Sequence, residues 1–182
     1  KNKNLNNKNL ITYSDQRRSK DSSFQNWINL PGTAREGNDI KKIVNGKLFT
    51  KEKASVSNLE KLINPKLLHF ATHSYFLKDN KKEENHLLRS GIVLAGANNP
   101  SFNSEDDGYL TALEITKLDW IGTELVVVSG CESGQGEIKS GEGVYGLKRA
   151  ISVSGARSSL LSLWEVNDAA TAAFMKNFYE KL

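Results

Sequence analysis

The 182-residue chain predicts an α/β fold, an open three-layer α/β/α sandwich around a mostly parallel sheet. Three observations carry this. The runs LLHFA at 67–71, LVVVS at 125–129 and SLLSL at 159–163 are near-continuously apolar, as in strands covered by helices on both faces. Segments of helical periodicity, with starts and stops of their own, stand between such runs. Alternation of the two patterns along the chain favours helices packed on both sides of one sheet.

The elements follow in chain order. Residues 1–9 are almost wholly Lys and Asn and read as a flexible linker or terminus, leaving residues 10–182 as one domain. Leu10–Tyr13 reads as a first strand, followed by a polar loop through Pro31-Gly32. Ala34–Val44 is expected as a helix with Thr33 as N-cap and Glu36 completing a capping box, stopped by Gly46. Lys47–Phe49 suits a brief second strand. Ser55 or Ser57 can cap a helix through Leu59, Leu62 and Ile63, which Asn64-Pro65 ends. Leu67–Ala71, Leu125–Ser129 and Ser158–Leu163 are the next three strands, with a helix from Gly143 to Ser154 before the last, stopped at Gly155. The interval from Tyr75 to Trp120 breaks the rhythm. Its charged loop, Gly91–Ala95 strand, acidic loop and short helix near Leu113–Lys117 read as an insertion over the sheet edge. A strong helical pattern from Asp168 runs to Leu182, as in a domain truncated at its C-terminus.

Composition narrows the function classes. Hydrophobic residues at 38% and charged residues at 25% are ordinary for a globular chain. No apolar run reaches membrane-spanning length and no leader precedes the domain, so the expectation is a cytoplasmic protein with no membrane partner. The formal net charge is +4, but Arg17, Arg18, Lys20, Lys41, Lys42, Lys81 and Lys82 are interrupted by Glu83, Glu84, Glu105, Asp106 and Asp107. No aromatic residues interleave with a basic stripe, so no nucleic-acid partner is expected. A single cysteine excludes an internal disulfide and a multi-thiolate metal site, and no metal or cofactor is expected.

Chemistry concentrates at two strand ends. Ligands of open α/β sheets bind beyond the carboxyl ends of the strands, and His73 and Cys131 follow two of them. If those strands are neighbours, a base and a nucleophile emerge at one edge. Cys131 lies between Gly130 and a loop holding Gly134 and Gly136, which offers exposure, room for a carbonyl, and backbone N–H groups. The plain alternative is a buried structural thiol. His69 and His73 are four residues apart, about 13 Å on a strand, too far to share a metal ion unless the strand ends between them. His69 therefore reads as a satisfied core residue, and His86 as an exposed loop residue. Gly141-Glu-Gly-Val-Tyr-Gly146 matches the dinucleotide fingerprint, with Glu165 about twenty residues on, yet about eleven residues separate it from its strand. It reads as a helix start with close packing, and a nucleotide-binding α/β domain stays open as an alternative. Trp164, Glu165 and Asp168 follow the last strand and are candidates for a substrate pocket, as is Glu132 beside the cysteine. For Asp168 the plainer role is N-cap of the last helix.

These residues resemble the CHAT family, caspase-like peptidases of the clan that includes caspases, separase and gingipains. LPGTAREG, LLHFATHS, SGIVLAGA, DGYLTALEITKL, ELVVVSGCESGQG, GEGVYGLKRAISVSGARSSLLSLWEVND and ATAAFMKNFYEKL stand in the family's order from Leu30 onward. The resemblance implies a caspase-like sandwich and a cysteine endopeptidase, with His73 and Cys131 at the positions of the catalytic dyad. It implies an oxyanion hole from the backbone N–H groups of Ser74 and Cys131. Family members often carry glycine after the histidine; Ser74 keeps the N–H and adds a Cβ. The expected partners are a protein or peptide substrate and helical-repeat regions of the same full-length protein. Clan relatives such as separase and gingipains favour a basic residue before the cleaved bond; Asp168 stands ahead of Glu165 as its acidic partner because its strand-end loop is expected to flank the cysteine loop. Trp164 would instead build an apolar pocket. A catalytically silent CHAT-like interaction scaffold is the alternative of another class.

Overall fold

A computed structural model describes residues 27–76, 86–98, 107–130, 142–162 and 168–182. The chain order is α1 (Pro31–Val44), α2 (Val56–Glu60), β1 (Leu67–Phe70), β2 (Ser74–Phe76), β3 (Ser90–Val93), β4 (Tyr109–Thr111), α3 (Ala112–Ile115), β5 (Leu125–Val128), α4 (Glu142–Val153), β6 (Ser159–Leu161) and α5 (Asp168–Lys181). The fold is α/β. One sheet is parallel, in the order β1-β5-β6, and a second is antiparallel, in the order β2-β3-β4.

Alternation along the parallel strands divides the core. Leu68, Phe70, Val126 and Val128 face a large cluster with Leu59, Ile92, Leu110, Ile115, Trp120, Leu147 and Ile151. Their neighbours Leu67 and Val127 face the other way, against Ile40 and Val44 of α1 and Met175 and Tyr179 of α5. Helices therefore cover both faces, which is why these strands lack a polar side. Strand β6 is half-buried throughout.

The antiparallel sheet is also two-faced. Ile92 and Leu110 enter the large cluster, whereas Tyr75, Val93 and Tyr109 pack with Trp27 and Ala97. The expected insertion is thus a sheet in its own right, joined to the parallel sheet through three residues, Ala71-Thr72-His73. Helix α3 begins with a capping box, in which Thr111 accepts from the Glu114 N–H and the Glu114 side chain accepts from the Thr111 N–H.

Several boundaries differ from the sequence expectation. Helix α1 starts at Pro31, in the first turn where a missing N–H costs nothing, and Thr33 lies inside it. Thr33 donates through Oγ1 to the Leu30 carbonyl, and Glu36 turns into the core instead of capping. The helix ends at Asn45, whose left-handed φ of 49° turns the chain so that the Gly46 N–H also reaches the Lys41 carbonyl, at 3.2 Å. Lys47–Phe49 is not a strand; Phe49 packs on the large cluster as part of an irregular connection. Helix α2, capped by Ser55, stops at Glu60, and Ile63 is 82% exposed. The other expected strands and helices stand within about two residues of their predicted ends. Leu10–Tyr13 lies outside the described residues. No described helix is long and apolar enough to cross a membrane.

Candidate active site

Strand β5 lies beside β1, parallel, with Leu67 opposite Leu125 and Phe70 opposite Val128. Beyond the paired residues, Ser129 N–H still reaches the Phe70 carbonyl at 3.0 Å. The next residue, Gly130, comes so close to the β1 end that a Cβ there would overlap the Thr72 carbonyl oxygen. It would also lie 3.4 Å from the His73 carbonyl carbon. Only glycine permits this approach of two backbones.

His73 sits where the chain passes from one sheet to the other. Its carbonyl accepts from the Val93 N–H at 2.9 Å, and the Thr72 hydroxyl donates to the Val93 carbonyl at 2.7 Å. The bond between residues 73 and 93 makes Ser74–Ile92 the next, non-hydrogen-bonded pair of that ladder. The Ser74 N–H is thereby directed away from β3. Both residues are buried, at 3% and 2% exposure.

The His73 ring is held on two sides. Its Nε2 lies 2.7 Å from the Ile28 carbonyl oxygen, which can only accept, so Nε2 carries the proton. In the neutral ring the lone pair is then on Nδ1. The Trp27 indole lies against the imidazole, with ring centroids 5.2 Å apart and planes tilted by 36°. Trp27 is fixed in turn. Its N–H donates to Asn98 Oδ1 at 3.1 Å and its carbonyl accepts from Asn98 Nδ2 at 2.8 Å, so a buried side chain pairs its backbone as a strand would. Its Nε1 donates to the Tyr109 hydroxyl at 3.0 Å. Burial, partly offset by that indole N–H and reinforced by Asp107, raises the Tyr109 phenol above its ordinary value. The phenol therefore remains protonated in its contact with Trp27.

A second polar group lies under the same strand end, on the α1–α5 face. His69, fully buried, meets the Tyr179 hydroxyl through Nδ1 at 3.0 Å and Glu36 Oε1 through Nε2 at 2.8 Å. The sequence expectation for His69 as a satisfied core residue describes this arrangement. Burial, with the Glu36 charge added, raises the Tyr179 phenol well above its ordinary value. Ser129 Oγ stands 3.4 Å from His69 Nε2.

Of the other residues singled out in the sequence, Asp168 is the first residue of α5. Cys131, Glu132, Trp164 and Glu165 lie outside the described residues. Gly143 and Gly146 lie within α4, and a Cβ at Gly146 would meet Ser90 Oγ at 3.0 Å. That is a helix-packing glycine, in keeping with the packing reading of the fingerprint. Among the described residues, no cluster of three or more His, Cys, Asp or Glu could hold a metal ion.

Two contributors escape sequence reasoning. The Ile28 carbonyl is a backbone atom, and no residue type announces it. Trp27 left a signal: a large aromatic residue in a loop needs somewhere to be buried. The family model of the CHAT domain matches residues 3–182. Comparison with curated proteins gives no match.

Proposed function

The chain belongs to the CHAT domain family, caspase-like and peptidase-related, and on that premise we propose that it is a cysteine endopeptidase with His73 and Cys131 as its dyad. The observation that carries this reading is the register of β1 on β5. His73 is three residues beyond Phe70, and Cys131 is three residues beyond Val128, the partner of Phe70. The close approach of Gly130, next in the chain to Cys131, to Thr72 and His73 supports the same pairing.

His73, with its proton on Nε2 held by Ile28, takes the Cys131 thiol proton on Nδ1. The thiolate sulfur attacks the scissile carbonyl carbon, and the oxygen takes up the displaced electron pair. The N–H groups of Ser74 and Cys131 receive that oxyanion, each worth about 3 kcal/mol at the transition state. Collapse re-forms the carbonyl and breaks the C–N bond, while the imidazolium returns its proton to the leaving amine. Water then cleaves the thioester, giving one proton to His73 and its hydroxyl to the acyl carbon. The thiolate leaves and recovers the proton from His73. The Ile28 carbonyl acts throughout as a positioning group, stabilising the imidazolium by accepting its second N–H bond.

Asp168 is the favoured acidic partner for a basic residue before the cleaved bond, because it opens α5 just after the strand β6 connection. Glu165 and Glu132 are the other carboxylates proposed there, with Trp164 as a wall. A peptide library compared between the wild type and Cys131→Ala tests both parts. The expected result is cleavage by the wild type alone, with Arg preferred to Leu before the cleaved bond. Equal cleavage by the two proteins would remove the dyad; equal turnover of Arg and Leu peptides would remove only the acidic pocket.

A further inference from the structure

We infer that Glu36 and His69 are positioning residues for the catalytic site, joining α1 to β1 so that the Ile28 carbonyl meets His73. The inference rests on the peptidase reading for its consequence, though not for its geometry.

The argument starts from how α1 is held. Its buried residues are Thr33, Glu36, Gly37, Ile40 and Val44. The two large apolar ones, Ile40 and Val44, are in the C-terminal half, where they pack on Leu67, Val127, Met175 and Tyr179. The N-terminal half buries only a threonine, a glutamate and a glycine, and so has no large apolar anchor of its own. That half is the one adjoining Ile28. Its specific hold on the sheet is the bond from His69 Nε2 to Glu36 Oε1 at 2.8 Å, between side chains that are 0% and 2% exposed.

The connection from this bond to Ile28 is short and stiff. Glu36 is on the second turn of the helix, Pro31 fixes φ at its start, and Thr33 ties back to the Leu30 carbonyl through Oγ1 at 2.7 Å and N–H at 3.2 Å. On the other side, His69 is four residues before His73. Two bonds therefore tie the same two segments, Ile28–Glu36 and His69–His73, and the inner one sets the distance for the outer one. Ser129 Oγ at 3.4 Å from His69 Nε2 brings the end of β5, two residues before Cys131, to the same group. Between side chains so fully buried, removing one partner leaves the other without its hydrogen bond, which is costly.

The test reads the His73 Nε2 proton in the intact chain. Its exchange with water by NMR measures the Ile28 bond without reference to activity. Glu36→Leu alone leaves His69 buried without its acceptor and risks the fold. Glu36→Leu with His69→Leu removes both polar groups together, a replacement that cores often tolerate. Glu36→Gln keeps an acceptor at the same reach. The expected result is wild-type exchange in Glu36→Gln, and exchange about tenfold faster or more in the folded double variant, the scale of one lost hydrogen bond. In that variant kcat on the best library peptide should fall, by up to about a hundredfold for an ångström of displacement, with KM little changed. A folded double variant that exchanges at the wild-type rate would overturn the inference, as would a Glu36→Gln chain that exchanges as fast as the double variant. If the wild type cleaves no peptide, the peptidase reading falls and proton exchange alone decides the joint.

Discussion

A methyl group on residue 130 would occupy the space of the Thr72 carbonyl oxygen, so the meeting of the two strand ends depends on one missing Cβ. Gly130→Ala should therefore push the β5 end away from His73, at a cost of about 1–3 kcal/mol for overpacking. Urea melts would read the stability loss, and peptide turnover should fall more than stability does. Turnover and midpoint both at wild-type values would contradict this close packing. The proposed pairing of His73 with Cys131 could be formulated at this scale because reactive residue types at strand ends form a pattern. Trp27 and the Ile28 carbonyl were not, since what they do depends on where a segment ends up and not on its own periodicity. Glu36 shows the same limit from the other side. Three residues after Thr33 it satisfies the capping-box pattern, but a helix that begins at Pro31 turns it into the core, where His69 receives it.

At the scale of elements, α1, β1 and α5 meet around Glu36, His69 and Tyr179, and this has a consequence for pH. The folded Tyr179 phenol titrates above its ordinary value of 10.0, through burial first and the Glu36 charge second. Between those values the unfolded chain loses a proton that the folded chain keeps, so the native state is the one favoured by low pH. The stabilisation is complete below about pH 10 and is lost as pH rises beyond it, by up to about 1.4 kcal/mol per pH unit from this one group. Tyr109, shifted in the same direction but only partly buried, adds a smaller part. Urea midpoints followed from about pH 9 to pH 11 should fall with pH, and less steeply in Tyr179→Phe. Identical slopes in the two proteins would show that the phenol is not held as described. Element identity was legible where an apolar run was long enough to fix its period. Strands β2 and β4, three residues each, carry too little pattern to be read, and Lys47–Phe49 had the composition of a strand but no neighbour to pair with among the described residues.

Across the whole molecule, two sheets share one core and part company at Ala71–His73. The parallel sheet supplies the strand ends from which His73 and Gly130 emerge. The antiparallel sheet carries the Tyr75, Val93 and Tyr109 wall against which Trp27 lies, and Trp27 backs the His73 ring. The parallel sheet was legible as continuous apolar runs. Of the wall only β3 was legible, as the Gly91–Ala95 strand; β2 and β4 were not, because they come from an interval whose charged loops mask the short apolar pieces. The central claim is that His73, so held, activates Cys131. It is tested most directly by the rate of Cys131 alkylation with iodoacetamide as a function of pH, in the wild type and in His73→Ala. The expected wild-type rate at about pH 6.5 exceeds that of a model thiol, with an inflection below the free-cysteine value near 8.5, and His73→Ala returns both to ordinary values. The same profile in both proteins, or full protection of the thiol in the native chain, would contradict it.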